Sequence, residues 1–213
     1  MKLYRINIKN MEDPLLNRRL LEQVGMERRK KVLRYRMPDD RKRSLGAGII
    51  IKTILEEKGL SESEIRYSEN EKPEADGVYF NVSHAGDYVA GVSSSCEVGC
   101  DIEKIRKAPF EVASRHFCTA ESEYINSAQD KDKAFFTLWT LKESYLKMTG
   151  RGLSLPLDSF EVVPAEKGFV LEDASVQCGY FQTMEFNGYI FSVCKETDSA
   201  FEHMKFQDIR TLF

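Results

Sequence analysis

The sequence predicts an α+β protein made of two blocks with a similar succession of elements. Three observations carry this prediction. Helix–helix–strand patterning occurs once before a boundary near residues 100–108 and once after it. The strands cluster in runs instead of alternating with helices as βαβ units. The 213 residues are 42% hydrophobic and 31% charged, with only six prolines. That is enough apolar material for one large or two small domains, and it excludes wholesale disorder. No repeat of residue identities is visible, so the duplication rests on element order alone.

Leu3, Ile6 and Ile8 among polar residues mark a first strand. After Pro14, Leu16, Leu20 and Val24 recur every four residues and Gly25 offers a stop, which predicts a helix. A basic helical segment over 27–36 follows. Asp39 or Asp40 can cap the next helix, in which Ala47, Ile51 and Leu55 share a face widened by Ile50 and Ile54, with Gly59 past its end. Residues 68–77 form a polar loop. Val78–Val82 and Tyr88–Val92 read as strands joined around His84–Asp87, and Val98–Glu103 reads as a third. Helical patterns return at 111–117, at 120–128 and from Lys133 to Met148, where Gly150 ends the helix. Phe160–Val163, Phe169–Leu171, Cys178–Met184 and Tyr189–Cys194 then read as strands. The two α+β halves are expected at 1–104 and 105–213.

Lys and Arg number 31 against 34 Asp and Glu, a net charge of -3, which does not suggest a dedicated nucleic-acid binder. Basic residues concentrate between Glu27 and Arg43, nine against three acidic. This run is short and offers only Tyr35 for stacking, so it reads as a solvated helix face or as a site for one phosphomonoester. No stretch approaches 18 uncharged apolar residues, and the N-terminus has no signal-like apolar run. Five cysteines without a C-x-x-C pair fit free thiols in a reducing cytoplasm. A cytoplasmic protein with neither nucleic-acid nor membrane partners is expected.

Three segments carry potential chemistry. In Val98-Gly99-Cys100-Asp101-Ile102-Glu103, strand alternation sends Val98, Cys100 and Ile102 into the core. Asp101 and Glu103 then project together from the other face, beside the space left by Gly99. Two neighbouring carboxylates repel unless water, a cation or a base intervenes. The pair reads either as a solvated strand face or as a magnesium site, because Mg²⁺ takes one or two carboxylates along with substrate phosphate and water.

On the helix through Trp139, the residues Leu138, Leu141, Tyr145 and Met148 form a buried stripe, with Trp139, Glu143 and Lys147 on the adjacent one. A surface Glu143–Lys147 ion pair explains the two charges without any activity. A partly buried acid and ammonium beside a tryptophan also suits a metal ligand next to a phosphate. In Phe80–Gly86, Ser83 and His84 are neighbours on a strand and face opposite ways, and no G-x-S-x-G elbow is present. His84 is therefore a poor base for Ser83; it could instead donate to a phosphate or stack near a nucleotide base. The sequence has no zinc spacing, Walker A loop, dinucleotide fingerprint or EF-hand.

Taken in order, FNVSHAG (80–86), GCDIEKI (99–105), FCTAE (117–121) and WTLKESYLK (139–147) resemble the 4'-phosphopantetheinyl transferases of the surfactin-synthetase-activating type. Weaker matches are Lys72-Pro73, RKRSLGAG around Arg43 and GLSLPLDSF at 152–160, so the resemblance spans most of residues 1–195. It implies a monomeric α+β pseudo-dimer, each half a small sheet packed by a long helix, with coenzyme A in the cleft between them. It implies Mg²⁺ held by Asp101, Glu103 and Glu143, and Lys147 at the coenzyme A pyrophosphate. Glu121 would deprotonate the attacking serine, directly or through water. Ser83 and His84 would belong to the coenzyme A site, with His84, Arg43 and Lys30 at the 3'-phosphate and Lys72 and Pro73 near the adenine.

The implied reaction moves the 4'-phosphopantetheine arm to a serine of an apo acyl or peptidyl carrier protein and releases 3',5'-ADP. Fatty-acid, polyketide and non-ribosomal peptide synthesis all use such carriers. One rival reading is another Mg²⁺-dependent phosphotransfer enzyme that needs no carrier. A non-catalytic coenzyme A-binding scaffold is a second, and the retained Glu121 and Lys147 argue against it. Two departures from the family pattern stand out. Cys118 replaces its Ser/Thr, and because sulfur caps helices poorly, either Thr119 caps or the turn before Glu121 shifts. Glu27 replaces a basic residue and is flanked by Arg28 and Arg29.

Overall fold

In the computed structural model, residues 1–70, 72–165, 168–171, 178–197 and 204–209 are described. The first strand, β1 (Lys2–Asn7), forms where the apolar alternation places it. The segment after Pro14 does not become an α-helix. It folds as a short 3-10 turn at Arg18–Gln23, with Leu20 and Leu21 buried and Leu16 85% exposed. Four-residue spacing put Leu16 on the apolar face, but no neighbour among the described residues covers it there. Gly25 serves as the N-cap of α1 (Met26–Arg34) and not as a stop. Helix α2 (Pro38–Glu56) starts on Pro38, whose missing N–H is harmless at a first helical position, and carries Asp39 and Asp40 in its first turn. Within the region expected as a loop, β3 (Pro73–Glu74) pairs back onto β2 (Arg66–Tyr67), which lies just before it.

The hairpin of β4 (Tyr79–Ala85) and β5 (Tyr88–Ser94) and the strand β6 (Val98–Lys104) follow as expected. Then come α3 (Phe110–His116), α4 (Thr119–Ser127) and α5 (Lys131–Thr149), the last closed by Gly150 at φ 67°. The second block continues with β7 (Val162–Ala165), β8 (Gly168–Leu171), β9 (Tyr180–Phe186) and β10 (Tyr189–Lys195), and β11 (Phe206–Asp208) comes last. Residues 166–167, 172–177, 198–203 and 210–213 of the expected C-terminal half lie outside the described residues.

Sheet order exposes the duplication. One sheet runs β11-β1-β5-β4 and the other β6-β10-β9-β8-β7. Within them, β1-β5-β4 and β6-β10-β9 share the same antiparallel pairing, and each set is threaded as strand, 19-residue helix, hairpin. The partition by sheets crosses the expected 104/105 boundary twice. Strand β6 pairs with β10 from Tyr189↔Lys104 to Lys195↔Val98, and β11 returns to pair with β1 in parallel. The break between the sheets thus falls between β5 and β6.

Apolar clusters explain the assembly. Helix α2 brings Leu45 and Ile50 onto Ile6 and Val89 of the first sheet. Helix α5 brings Leu138, Leu141 and Tyr145 onto Phe160, Phe181 and Ile190. A third cluster joins the halves, with Leu3, Tyr88 and Val92 against Val98, Cys100, Ile102, Phe191 and Val193. Each such side chain removed from water contributes about 1.5–3 kcal/mol before entropy is counted. A side chain also stitches the seam, since Asn81 Oδ1 on β4 accepts from the Cys100 backbone N–H on β6 at 3.2 Å.

Candidate active site

Gly99 sets the geometry. A Cβ at this position would collide with the α5 backbone at Ser144, Lys147 and Met148. Only glycine lets β6 approach α5 this closely. Residues two apart on a strand share a face, so Asp101 and Glu103 continue from Gly99 along the same helix. Helical spacing presents Trp139, Glu143 and Lys147 from α5, and β4 of the other half supplies Val82, Ser83 and His84. These eight residues line one cleft of about 330 Å³ at the seam between the halves.

At its floor, Lys147 Nζ donates to Asp101 Oδ1 at 2.6 Å and to Ser83 Oγ at 3.0 Å, while Ser83 Oγ donates to the same carboxylate oxygen at 2.7 Å. Three elements from both halves thus meet in one closed triangle. Burial works against the Lys147 charge, but Asp101 outweighs it and holds the ammonium pKa above its ordinary value. Asp101 is 5% exposed, and its second oxygen, Oδ2, is buried without a hydrogen-bond partner.

The simple Glu143–Lys147 ion pair does not form, because Lys147 is engaged by Asp101. Glu143 has neither a hydrogen bond nor an ion pair among the described residues. Burial raises its pKa; Lys147 opposes the rise, while Asp101 and Glu103 add to it. Glu103 is raised by burial in the same way, against a 3.0 Å contact from Arg106. The three carboxylates therefore feel one another's charge. In this arrangement no three His, Cys, Asp or Glu side chains converge as a metal-ligand set among the described residues.

Arg43 on α2 reaches the cleft's rim. Its Nη1 donates to the Gly86 carbonyl at 2.8 Å and its Nη2 to Asp40 Oδ1 at 2.6 Å. Gly86 takes φ 51° in the β4–β5 turn, and the Tyr189 hydroxyl occupies the place a Cβ would need. The turn is clamped from both halves. His84 beside it is exposed at the rim, yet desolvation by the surrounding protein lowers its pKa, and the charges of Arg43 and Lys147 add to the effect.

Other expected site residues lie elsewhere. Lys30 pairs with Glu27 and lines a separate groove of about 870 Å³ with Arg28, Lys31, Arg34, Tyr35 and Tyr67. Lys72 donates to Glu97 Oε2 and to the Met148 carbonyl, both at 2.7 Å, and lines a third pocket with Pro73.

Glu121 is also away from the cleft. Cys118 occupies the N-cap of α4, so the turn does not shift; the cap is made in reverse, with Glu121 Oε2 accepting from the Cys118 backbone N–H at 2.9 Å. Glu121 Oε1 accepts from the Val162 backbone N–H at 2.8 Å and from Lys142 Nζ. Both side chains of that ion pair are 0% exposed. A carboxylate with no accessible surface does not face the cleft, so this arrangement does not bring Glu121, the expected base, together with the other expected site residues.

Two participants were missed in the sequence. Lys142 falls within the apolar stripe of Leu138, Leu141 and Tyr145, and a lysine there announces a buried carboxylate partner. Asn81 carried no local signal, because its partner lies across the seam.

A duplicated α+β scaffold with carboxylates and cations facing each other across its seam defines a site for a charged, phosphate-bearing substrate. The pattern of the 4'-phosphopantetheinyl transferase superfamily matches residues 97–194. The 4'-phosphopantetheinyl transferase Sfp of Bacillus subtilis is 35% identical over 208 residues, covering 91% of this chain and 92% of that protein. The transferase psf-1 of Bacillus pumilus is 32% identical, covering 96% and 94%, and gsp of Aneurinibacillus migulanus 30%, covering 91% and 87%. The chain belongs to the 4'-phosphopantetheinyl transferase family, whose reaction moves phosphopantetheine from coenzyme A to a carrier-protein serine. No helix among the described residues is long and apolar enough to cross a membrane.

Proposed function

We propose that this chain performs the family reaction in the cleft between its halves, with an apo acyl or peptidyl carrier protein as acceptor. The observation that carries the reading is the convergence of Ser83 and His84, Asp101 and Glu103, and Trp139, Glu143 and Lys147 on that one cleft. Arg43 and His84 at the rim suit the 3'-phosphate of coenzyme A, because a guanidinium and an imidazole donate directed hydrogen bonds to phosphate oxygens. Lys147, held charged on the floor, suits the pyrophosphate.

Mg²⁺ dependence is typical of the family, and although no ligand set is converged among the described residues in this arrangement, the cleft carries side chains of the type that suit the ion. Three carboxylates are the donor types of a hard cation, and the orphaned Asp101 Oδ2 is a buried oxygen without a hydrogen-bond partner, the Lys147 ammonium being engaged by Oδ1. Asp101, Glu103 and Glu143 would hold it, and the bound ion would offset charge on the pyrophosphate. The proton of the attacking serine falls to a cleft carboxylate. Glu143 makes no hydrogen bond or ion pair among the described residues, so an oxygen not used to hold the ion is open to it.

The transfer reaction is directly testable. Candidate apo-carriers incubated with coenzyme A and Mg²⁺ are expected to gain the phosphopantetheine mass in a mass spectrum. No gain with fatty-acid, polyketide or peptide carriers would refute it.

A further inference from the structure

We propose that the buried Glu121–Lys142 pair is a positioning device for the transfer site, holding α5 so that Glu143 and Lys147 face β6. The inference rests on the reading of the cleft given above.

Lys142 and Glu143 are sequence neighbours, about 100° apart around a rigid helix, so whatever moves one moves the other. On the core side, Lys142 Nζ donates to Glu121 and, at 2.7 Å, to the Phe160 carbonyl. It also lies 4.4 Å from the Phe160 ring centroid and 5.6 Å from that of Phe117. Glu121 in turn grips the start of α4 and the first residue of β7 through the Cys118 and Val162 backbone N–H groups. One ion pair therefore ties the middle of α5 to two other elements. On the cleft side, Gly99 meets α5 one turn further on. Phe117 extends the link to the cleft wall, since its ring stacks on Trp139 at 6.4 Å.

Apolar side chains of equal volume would hold α5 at least as stably, because two charges must first be stripped of water. What the ion pair adds is direction. The ammonium is satisfied in one rotation and one axial position of the helix, whereas a leucine tolerates several.

Glu121→Gln, Lys142→Met and the double variant test this, with turnover measured far below each variant's thermal midpoint. Glu121→Gln is expected to lower kcat at least tenfold with KM for coenzyme A nearly unchanged, and the double variant to recover most of the loss because neither charge is left unpaired. A double variant as inactive as Glu121→Gln would show that the carboxylate itself does chemistry. A Glu121→Gln enzyme that loses thermal stability but keeps kcat would make the pair merely stabilising.

A second readout needs no turnover. Trp139 is the only tryptophan and lines the cleft. Its fluorescence is expected to shift in Glu121→Gln and to return in the double variant, and an unmoved spectrum overturns the proposal. Absence of transfer by the unmodified enzyme would refute the functional reading alone, leaving the fluorescence test to decide the positioning role. If Glu121→Gln does not fold, Glu121→Asp, which keeps the charge but shortens the reach, is expected to give the same spectral shift.

Discussion

Adding one methyl group at Gly99 tests how the site is assembled. The new Cβ would lie 2.8 Å from the Lys147 carbonyl carbon and closer still to the Ser144 oxygen and the Met148 nitrogen. Ordinary carbon contacts begin near 3.4 Å, so β6 and α5 must part by more than half an ångström even on the loosest of the three. All three neighbours are backbone atoms, so no side chain can swing away. Overpacking of this kind costs about 1–3 kcal/mol, and backbone crowding puts Gly99→Ala toward the upper end. At about 2–4 °C per kcal/mol for a chain of this size, the thermal midpoint should fall by roughly 5–10 °C.

The same separation draws Asp101 away from Lys147 and opens the carboxylate cluster, and misplacement by about an ångström can lower a rate on the order of 10²-fold. Thermal unfolding followed by circular dichroism and turnover followed by carrier mass check both effects. Gly59→Ala is the control. It is strained by its φ of 72° but has nothing within 4 Å, so it should cost about 1 kcal/mol and leave turnover intact. A Gly99→Ala enzyme with unchanged midpoint and unchanged kcat would refute this account of the β6–α5 approach.

Glu143→Gln is expected to lower turnover about 10²-fold or more without loss of stability. The folded pKa of Glu143 is raised, so its ionised form disfavours the fold at neutral pH, and that penalty fades as pH falls through the folded value toward the ordinary 4.5. The variant should thus be at least as stable as the parent at pH 7, with the advantage shrinking in acid; a variant less stable at pH 7 contradicts the assignment. Arg43→Ala should lower kcat/KM for coenzyme A by about 1.5–3 kcal/mol but matter little with dephospho-coenzyme A. Because Arg43 also clamps the Gly86 turn, the ratio between the two substrates isolates the phosphate contact, and equal losses would remove it from the nucleotide site. Cys118→Ser should retain most activity, since burial and then Glu121 raise the thiol pKa and disfavour a nucleophilic thiolate. A trapped thiol-linked intermediate would show otherwise.

Much of the cleft was legible before the fold was known. Period-two alternation put Asp101 and Glu103 on one face of β6, and 3.6-residue periodicity put Trp139, Glu143 and Lys147 on one stripe of α5. Both periods follow from backbone geometry over a few residues and hold wherever the element lies. Leu16 shows their limit, because periodicity names the face a side chain occupies but not whether another element arrives to cover it.

Partnership was a different matter. Local spacing matched Glu143 with Lys147, yet Lys147 binds Asp101, 46 positions away, and Lys142 is held by Glu121 from another helix. Lys30 and Lys72 read as companions of Arg43 and His84, but they line other pockets, since each is carried by a segment whose position depends on distant packing. Apart from the 3-10 turn after Pro14 and the β2–β3 ribbon, the sequence by itself determined the types of the main elements, their order and the residues that share a face. Only the tertiary structure decided that β6 joins the second sheet, that Gly99 brings it against α5, and which charge answers which. The reason is range: backbone periodicity acts within a turn or a strand, whereas the partner of a buried charge is set by whichever element the apolar core packs beside it.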